Sequence, residues 1–262
     1  MSDWLFDLGN SRFKAAPRLT ASAVGEVLAW PHGADALAGG DASHGALPRG
    51  RRAWGASVAA PALTTQMLGL LRGRFDQVQL VQTQAECAGV RLAYRQADRL
   101  GVDRFLALLA ARRLTQASTG DVLVAGVGTA LTIDLLDASG LHHGGRIAPS
   151  PALMRQALHQ RAAQLPAAGG RYAEFAGDTE DALASGCDGA AAALVERSLR
   201  QAALRLGREP ELLLHGGGAE ALLPLLPAAT LRPALVLEGL AVWAAQAEDA
   251  DDERPGPADP LG

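Results

Sequence analysis

The sequence predicts an α/β protein made of two similar halves. Apolar stretches that alternate like β-strands take turns with stretches whose leucines and alanines recur at helical spacing, which is typical of α/β folds. A strand, a glycine turn and a second strand occur twice, around Gly9-Asn10 and again at residues 126–129. This repeat predicts two lobes that face each other across a cleft. The alternative is that the glycine turns simply join strands, as they do in any α/β fold.

In the first half, two short strands are predicted at residues 4–8 and 12–16. Gly9-Asn10 lies between them and tolerates positive φ, so it suits a tight turn. The pattern then predicts helices over 62–71 and 104–114 and a strand over 78–81. We therefore place a first lobe at residues 1–114.

The second half repeats the plan with a strand at 121–125, a glycine turn at 126–129 and an alternating strand at 131–134. Helical patterns follow at 151–165, 182–206 and 238–247, and a strand at 211–215 runs into Gly216-Gly217-Gly218. We place a second lobe at residues 115–247. The triple glycine could make room for a flat adenine ring.

The bulk composition excludes several classes of protein. A chain of 262 residues that is 48% hydrophobic can bury a large core, yet it has no run of about 18 apolar residues that could span a membrane. Asp3 and Asp7 stand where a signal peptide would carry bases, so we expect a cytoplasmic protein without membrane contact. Cys87 and Cys187 lack the spacing of a metal site and are expected to be reduced and structural.

Most of the net charge of −4 comes from the C-terminal end. Six of the 28 acidic residues but only one of the 24 bases follow Gln246, together with three prolines. This composition predicts an acidic disordered tail over residues 248–262. The rest of the chain is almost neutral, so we expect no nucleic-acid partner.

Lys14 is the only lysine of the chain and lies in the first hairpin. Lysine binds phosphate as a compact point charge, whereas arginine binds it as a planar fork. Asp7 could hold Mg²⁺ directly or through water, and Gly9, Asn10 and Ser11 could turn N–H groups toward an anion. The hairpin therefore predicts a phosphate and Mg²⁺ site; the alternative is that Lys14 is merely solvated.

Asp103 and Arg104 follow each other where a helix is predicted to begin. Phosphoryl transfer to an alcohol needs a carboxylate that accepts the hydroxyl proton, and an acidic substrate suits an arginine fork. The alternative is that Asp103 caps the helix and Arg104 lies on its surface. Asp178 and Thr179 precede a later helix and allow a similar pair of interpretations. They belong to an N-cap cluster, or Thr179 instead contacts a ligand.

His142-His143 is the one pair that invites a metal site, and we reject that interpretation. Adjacent residues of a strand point to opposite faces, so the two rings cannot converge on one ion.

Taken together, these motifs resemble those of type III pantothenate kinases, members of the actin/sugar-kinase/Hsp70-like superfamily. Five segments agree in order across nearly the whole chain up to the acidic tail. They are Asp7-Leu8-Gly9-Asn10-Ser11 with Lys14; Tyr94 with Gly101-Val102-Asp103-Arg104; Gly128-Thr129-Ala130-Leu131-Thr132-Ile133-Asp134 with Gly144-Gly145-Arg146-Ile147; Asp178-Thr179 with Ser185-Gly186; and Leu237-Glu238-Gly239-Leu240.

The resemblance implies two actin-like (ribonuclease H-like) lobes around a nucleotide cleft, and ATP-dependent phosphorylation of pantothenate to 4′-phosphopantothenate, the opening step of coenzyme A synthesis. It implies Asp103 as the general base. ATP, with Mg²⁺, would be bound by Asp7, Leu8, Gly9, Asn10, Ser11, Arg12, Phe13, Lys14 and Thr129, and pantothenate by Tyr94, Gly101, Val102, Asp103, Arg104 and Thr179. It also implies a homodimer whose partner subunit helps to close the pantothenate pocket.

Gly126 departs from the family pattern. Where the family usually has Asp-x-Gly-Thr, this chain has Gly126-Val127-Gly128-Thr129 and so lacks the aspartate that binds a monovalent cation. Without a carboxylate to offset its desolvation, a bound K⁺ or NH₄⁺ is doubtful. The family's Thr-Gly-Gly near the nucleotide is His215-Gly216-Gly217, and its Pro-Gly is Pro149-Ser150.

Two other functions stay open at this point. A non-catalytic transcriptional accessory or regulatory protein on the same fold could lose the aspartate at position 126, but it would not need Asp103 and Lys14. Another small-alcohol or sugar kinase of the superfamily is disfavoured by the segment from Tyr94 to Arg104.

Overall fold

The computed structural model describes residues 2–9, 12–31, 47–116 and 120–252. Its strands are β1 (Trp4–Leu8), β2 (Arg12–Pro17), β3 (Leu28–Pro31), β4 (Gly50–Ser57), β5 (Phe75–Leu80), β6 (Glu86–Cys87), β7 (Val90–Arg91), β8 (Val122–Val127), β9 (Ala130–Leu136), β10 (His142–Pro149), β11 (Glu211–His215) and β12 (Ala229–Leu231). Its α-helices are α1 (Pro61–Arg72), α2 (Val102–Thr115), α3 (Pro151–Arg161), α4 (Thr179–Leu206), α5 (Ala219–Leu222) and α6 (Leu235–Asp252). Short 3₁₀ turns lie at Ala97–Arg99 and Leu223–Leu225.

Two five-stranded sheets share one topology. The first has the order β3-β2-β1-β4-β5 and the second the order β10-β9-β8-β11-β12. In each sheet the first three strands along the chain are antiparallel neighbours, and the last two run parallel to the first. The predicted α/β fold with two similar lobes is confirmed by this duplication.

Alternation along the first hairpin separates its core residues from its polar ones. Phe6 and Phe13 pack on the outer face of the first sheet, in a cluster with Trp30 and α1. Leu5 lies on the opposite face, in a cluster with α2 and α6. Asp7 is two residues from Leu5 and therefore faces α2 and α6 as well.

Helices α2 and α6 connect the two sheets. They pack against each other, α2 contacts β8 and β9, and α6 contacts β1 and β4. A Cβ atom on Gly239 of α6 would lie 1.8 Å from the carbonyl oxygen of Leu106 in α2, so the two helices can approach this closely only with glycine there. The close approach gives a physical reason for the segment Leu237-Glu238-Gly239-Leu240.

The far face of the second sheet is covered by α4 and α5, and α3 packs on α4. Asp178 is the N-cap of α4 and its side chain accepts a hydrogen bond from the Asp181 N–H, as the N-cap interpretation predicts. Within the described ranges, no helix has the length and hydropathy needed to cross a membrane.

The prediction of a disordered tail is wrong for residues 248–252, because α6 continues to Asp252. The Glu248 carboxylate accepts hydrogen bonds of 2.6 Å from both Arg18 and Arg52. These two arginines anchor an acidic stretch whose composition alone suggests disorder. Residues 253–262 of the predicted tail lie outside the described residues, and the lobe limits at 114 and 247 stay predictions.

Candidate active site

The first hairpin places Asp7 and Lys14 side by side. They are register partners on β1 and β2 and face the side of the sheet that packs on α2 and α6. Burial raises the pKa of Asp7 to about 7; the charge of Lys14 opposes this rise and that of Asp103 adds to it. A half-buried carboxylate with a raised pKa beside a cation suits a hard divalent ion, since Mg²⁺ takes oxygen ligands.

Other predicted residues of this hairpin play a different part from the one expected. The Gly9 N–H donates to the Arg12 carbonyl at 3.1 Å and closes the turn, so it does not point freely at an anion. Leu8 and Phe13 turn their side chains into the outer core, away from Asp7. Asn10 and Ser11 lie outside the described residues.

Asp103 lies at the second position of α2, after an N-cap at Gly101 and the buried Val102. Asp103 is therefore not the N-cap; its carboxylate accepts a hydrogen bond of 2.9 Å from the backbone N–H of Arg104. Burial raises the pKa of Asp103, and this N–H and the Arg104 charge only partly oppose the rise. A half-buried carboxylate with a raised pKa, facing Asp7, has the character of a general base.

Arg104 is buried, and the surface placement considered for it is wrong. Its Nε and Nη2 donate to the two carboxylate oxygens of Asp134 at 2.8 and 2.6 Å, and its Nη1 donates to the Tyr94 hydroxyl at 3.2 Å. These bonds raise the pKa of Arg104 although burial acts to lower it. Three of the five N–H donors of the guanidinium are thus engaged in fixing its plane.

His142 completes this buried network. Its Nε2 lies 2.9 Å from Asp134 Oδ1, and its ring stacks on Tyr94 with centroids 5.9 Å apart. Although burial acts to raise the pKa of Asp134, the hydrogen bonds from His142 and Arg104 lower it. The neighbouring His143 instead bonds to Asp137 and Arg205, so the two rings serve separate partners.

The second hairpin has a shorter turn than predicted. Gly126 and Val127 belong to β8, where Gly126 pairs with Thr132 on β9 and with His215 on β11, and only Gly128 and Thr129 form the turn. Thr129 is exposed there, as a ligand contact would need. Its carbonyl accepts a hydrogen bond of 3.0 Å from Ser150, the residue that departs from the family's Pro-Gly.

The triple glycine after β11 packs on this second turn. The Gly218 N–H donates to the Val127 carbonyl at 3.0 Å. Arg12 approaches from the other lobe, with a guanidinium nitrogen 3.8 Å from the position of a Cβ on Gly217. Both hairpins and the glycine loop therefore converge on one cleft.

Comparison with known proteins identifies the family. A family model described as Type III pantothenate kinase matches residues 4–201. A Stenotrophomonas maltophilia protein of that name is 64% identical over 244 residues, covering 93% of this chain and 98% of its own length. The chain belongs to the type III pantothenate kinase family. A Xanthomonas axonopodis pv. citri relative of the same name is also 64% identical, over 247 residues that cover 94% of this chain and 99% of its own.

Membership of the family confirms the resemblance drawn from the five motifs. Among solved structures, a Campylobacter jejuni protein assigned to the Baf family of transcriptional activators superposes with a TM-score of 0.62 at 18% identity, covering 95% of this chain and 99% of its own. At that identity the similarity shows a shared fold and nothing of a shared role.

Within this kinase-family fold, the predicted residues fall into two groups. Asp7, Lys14, Asp103, Arg104 and Tyr94 meet in one cluster through the contacts and charges described above. Thr179 does not join it: it is exposed at the start of α4, and within the described chain it makes no hydrogen bond to Asp103 or Arg104.

Asp134 and His142 are not among the site residues that the sequence predicts, although both belong to the buried network around Arg104. The signal for Asp134 was present, since a carboxylate inside an apolar strand must find a partner when it is buried. The sequence did not reveal that this partner is Arg104, because the pair joins two elements that are 30 residues apart in the chain.

Proposed function

We propose that this protein transfers the γ-phosphoryl group of ATP to pantothenate and so forms 4′-phosphopantothenate. The observation that carries the proposal is the cluster of Asp103 and Arg104 at the start of α2, facing Asp7 and Lys14 across the cleft. This cluster supports the proposal, because it would bring a base and an anion-binding fork beside a site for phosphate and a divalent ion. Family membership supplies the substrate.

In this mechanism Asp103 accepts the proton of the primary hydroxyl of pantothenate. The hydroxyl oxygen forms a bond to the γ-phosphorus, the bond from that phosphorus to the β–γ bridging oxygen breaks, and ADP leaves. Lys14 stabilises the negative charge on the transferred group as a point charge. Asp103 is not neutralised by a direct ion pair with Arg104, because Asp134 already holds that guanidinium.

Arg104 would bind the carboxylate of pantothenate through the N–H donors that Asp134 and Tyr94 leave over. Because Asp134 fixes the plane of the guanidinium, little rotamer entropy is lost when the substrate binds. Tyr94 lies under the same guanidinium, with the Arg104 Cζ atom 5.8 Å from its ring centroid.

Mg²⁺ would be held by Asp7, directly or through water, and would neutralise charge on the phosphates when bound. A monovalent cation is a separate matter. Position 126 carries no carboxylate, so we propose that turnover does not depend on K⁺ or NH₄⁺.

We further propose that the protein is a homodimer and works in the cytoplasm, without membrane or nucleic-acid contacts. An apolar groove of about 720 Å³ lies between β10, α3 and α4 and includes Leu153 and Leu158, which are 36% and 44% exposed. Exposed apolar grooves of this kind mark interfaces. The part of α4 that lines the groove begins at Ala182, one turn after Thr179, so a partner chain in the groove would lie beside Thr179.

The alternative, a transcriptional accessory protein, is less consistent with the buried network. A binding module on this fold would have no use for Asp103 beside an arginine whose plane is fixed by Asp134. The Campylobacter jejuni protein supports the fold alone.

The deciding experiment is an ADP-release assay with pantothenate and Mg·ATP, with and without K⁺. We expect turnover in both salts and a loss of about 10²-fold or more in kcat for Asp103→Asn, while ATP still binds. Asp98→Asn is the matched control, because Asp98 is exposed and lies just before α2. Absence of turnover with pantothenate in every salt would refute the proposed kinase activity. Full activity of Asp103→Asn would refute the assignment of Asp103 as the general base.

A further inference from the structure

His215 fills the space that Gly126 leaves open. The two residues are register partners on the neighbouring parallel strands β11 and β8. A Cβ atom on Gly126 would lie 2.7 Å from His215 Nε2 and 3.0 Å from its Cε1, and 2.8 Å from Thr132 Oγ1. Real Cβ atoms do not approach other heavy atoms so closely. The imidazole therefore occupies the volume that any side chain at position 126 would need.

Strand alternation shows where this imidazole points. Leu213 packs in the cluster with α2 and α6, whereas Leu212 and Leu214 pack on the opposite face of the sheet. His215 is two residues after Leu213 and so faces the α2 side, where Arg104 and Asp134 lie. It is also the last residue before the triple glycine, at the point where both hairpins converge on the cleft.

The charges acting on His215 place it in the same cleft as the first hairpin. Burial and the charge of Lys14 together lower its pKa to about 4, and only the charge of Asp134 opposes the change. The ring is thus neutral near pH 7, with one N–H donor and one lone pair. Within the described part of the chain, neither ring nitrogen makes a hydrogen bond, so the donor is free for a ligand.

We propose that His215 is a phosphate-binding residue of the nucleotide site and that Gly126, which has no side chain, leaves the space that its imidazole occupies. This deepens the proposed kinase function and rests on it for the identity of the nucleotide. The neutral imidazole donates a hydrogen bond to a phosphate oxygen from the second lobe, while Lys14 acts on the phosphates from the first. A neutral donor of this kind orients the phosphate through a hydrogen bond and does not add a second positive charge beside Lys14.

The test uses ATP affinity, measured by calorimetry without pantothenate. A hydrogen bond to a charged group corresponds to roughly a tenfold change in affinity or more, so we expect His215→Ala to raise the Kd for ATP about 10-fold. The KM for pantothenate should stay within about twofold, because the proposal assigns the ring to the phosphates of ATP and not to pantothenate. Melting curves establish that each variant is folded.

Gly126→Ala supplies a second and independent test. Its methyl group displaces the imidazole, so we expect it to raise the Kd for ATP by a similar factor. In the His215→Ala background the imidazole is gone and only the Thr132 hydroxyl, which can rotate away, lies within 3 Å of the new methyl group, so Gly126→Ala should then add little. Gly69→Ala in α1 is the matched control, because a Cβ there meets no atom within 4 Å.

Unchanged ATP affinity in either single variant, or fully additive effects in the double variant, would overturn the inference. These outcomes are distinct from a failure of the proposed function. If the protein binds ATP through His215 but does not phosphorylate pantothenate, this inference stands and the proposed substrate is wrong.

Discussion

Arg104 of α2 and Asp134 of β9 form a bidentate ion pair that is almost fully buried, with side-chain exposures of 6% and 4%. The pair joins the helix that carries Asp103 to the sheet of the second lobe. Removal of one member of such a pair leaves an uncompensated buried charge, which costs more than the pair contributes. The position of Asp103, the proposed general base, is thus tied to a contact between the two halves of the molecule.

The first prediction concerns this pair. Asp134→Asn should lower the free energy of unfolding by about 3 kcal/mol, since the buried guanidinium loses its counter-charge. It should also raise the KM for pantothenate at least tenfold, because the plane of Arg104 is no longer fixed. Denaturant unfolding and steady-state kinetics measure the two effects.

Glu196→Gln is the control for Asp134→Asn, because Glu196 and Arg200 form an exposed pair at 3.7 Å whose loss should change stability by less than about 0.5 kcal/mol. An Asp134→Asn variant with wild-type stability and KM would show that Arg104 keeps its position without the pair.

The second prediction is the pH dependence of catalysis. Asp103 must be ionised to accept a proton, and burial raises its pKa above the ordinary 3.8; the charges of Asp134 and Arg104 act on it in opposite directions. Activity should therefore fall as the pH drops through that raised pKa, with a midpoint above the ordinary value of 3.8. The profile of kcat at saturating Mg·ATP and pantothenate measures it. A midpoint at or below the ordinary 3.8 would contradict a desolvated base.

The third prediction is that Asp7→Asn stabilises the protein in the absence of metal. The pKa of Asp7 is about 7 in the folded protein against 3.8 in the unfolded chain. The folded state is therefore penalised for the charge above about pH 4, and the penalty is complete above pH 7. At pH 8 and in EDTA, the variant should melt several degrees above wild type.

This difference in Tm should shrink as the pH falls and vanish well below pH 3.8, where the folded and the unfolded carboxyls are both protonated. Mg²⁺ with ATP should raise the Tm of wild type more than that of Asp7→Asn, and the variant should lose turnover. Equal melting temperatures at pH 8 would argue that Asp7 is better solvated than its burial implies.

The two hairpins, the start of α2 and most helices could be predicted because each depends on local signals, namely alternation, glycine turns and helical spacing. The partners of buried polar groups could not. The pairing of Arg104 with Asp134 and of Gly126 with His215 depends on the register between strands and helices that are distant in the chain. Glu248 is a further case, since its arginine partners are 196 and 230 residues away.

The last prediction follows from the fit between His215 and Gly126. Gly126→Asp alone should lose most activity, because its Cβ would meet the imidazole and the Thr132 hydroxyl at 2.7 and 2.8 Å. Adding His215→Thr removes the ring and restores the residues that the family usually has at both positions. The double variant should recover activity, and that activity should now require K⁺, since a new carboxylate can compensate the desolvation of the ion.

Steady-state assays with sodium or potassium salts at constant ionic strength measure this change, with wild type and His215→Thr as references. Wild type should respond to K⁺ by less than about twofold, because no carboxylate stands at position 126. Strong activation of wild type by K⁺ would show that other oxygens bind the ion and would contradict the proposed independence of K⁺. If the double variant recovers equal activity in sodium and in potassium salts, the two substitutions restore the packing between positions 126 and 215 but create no cation site.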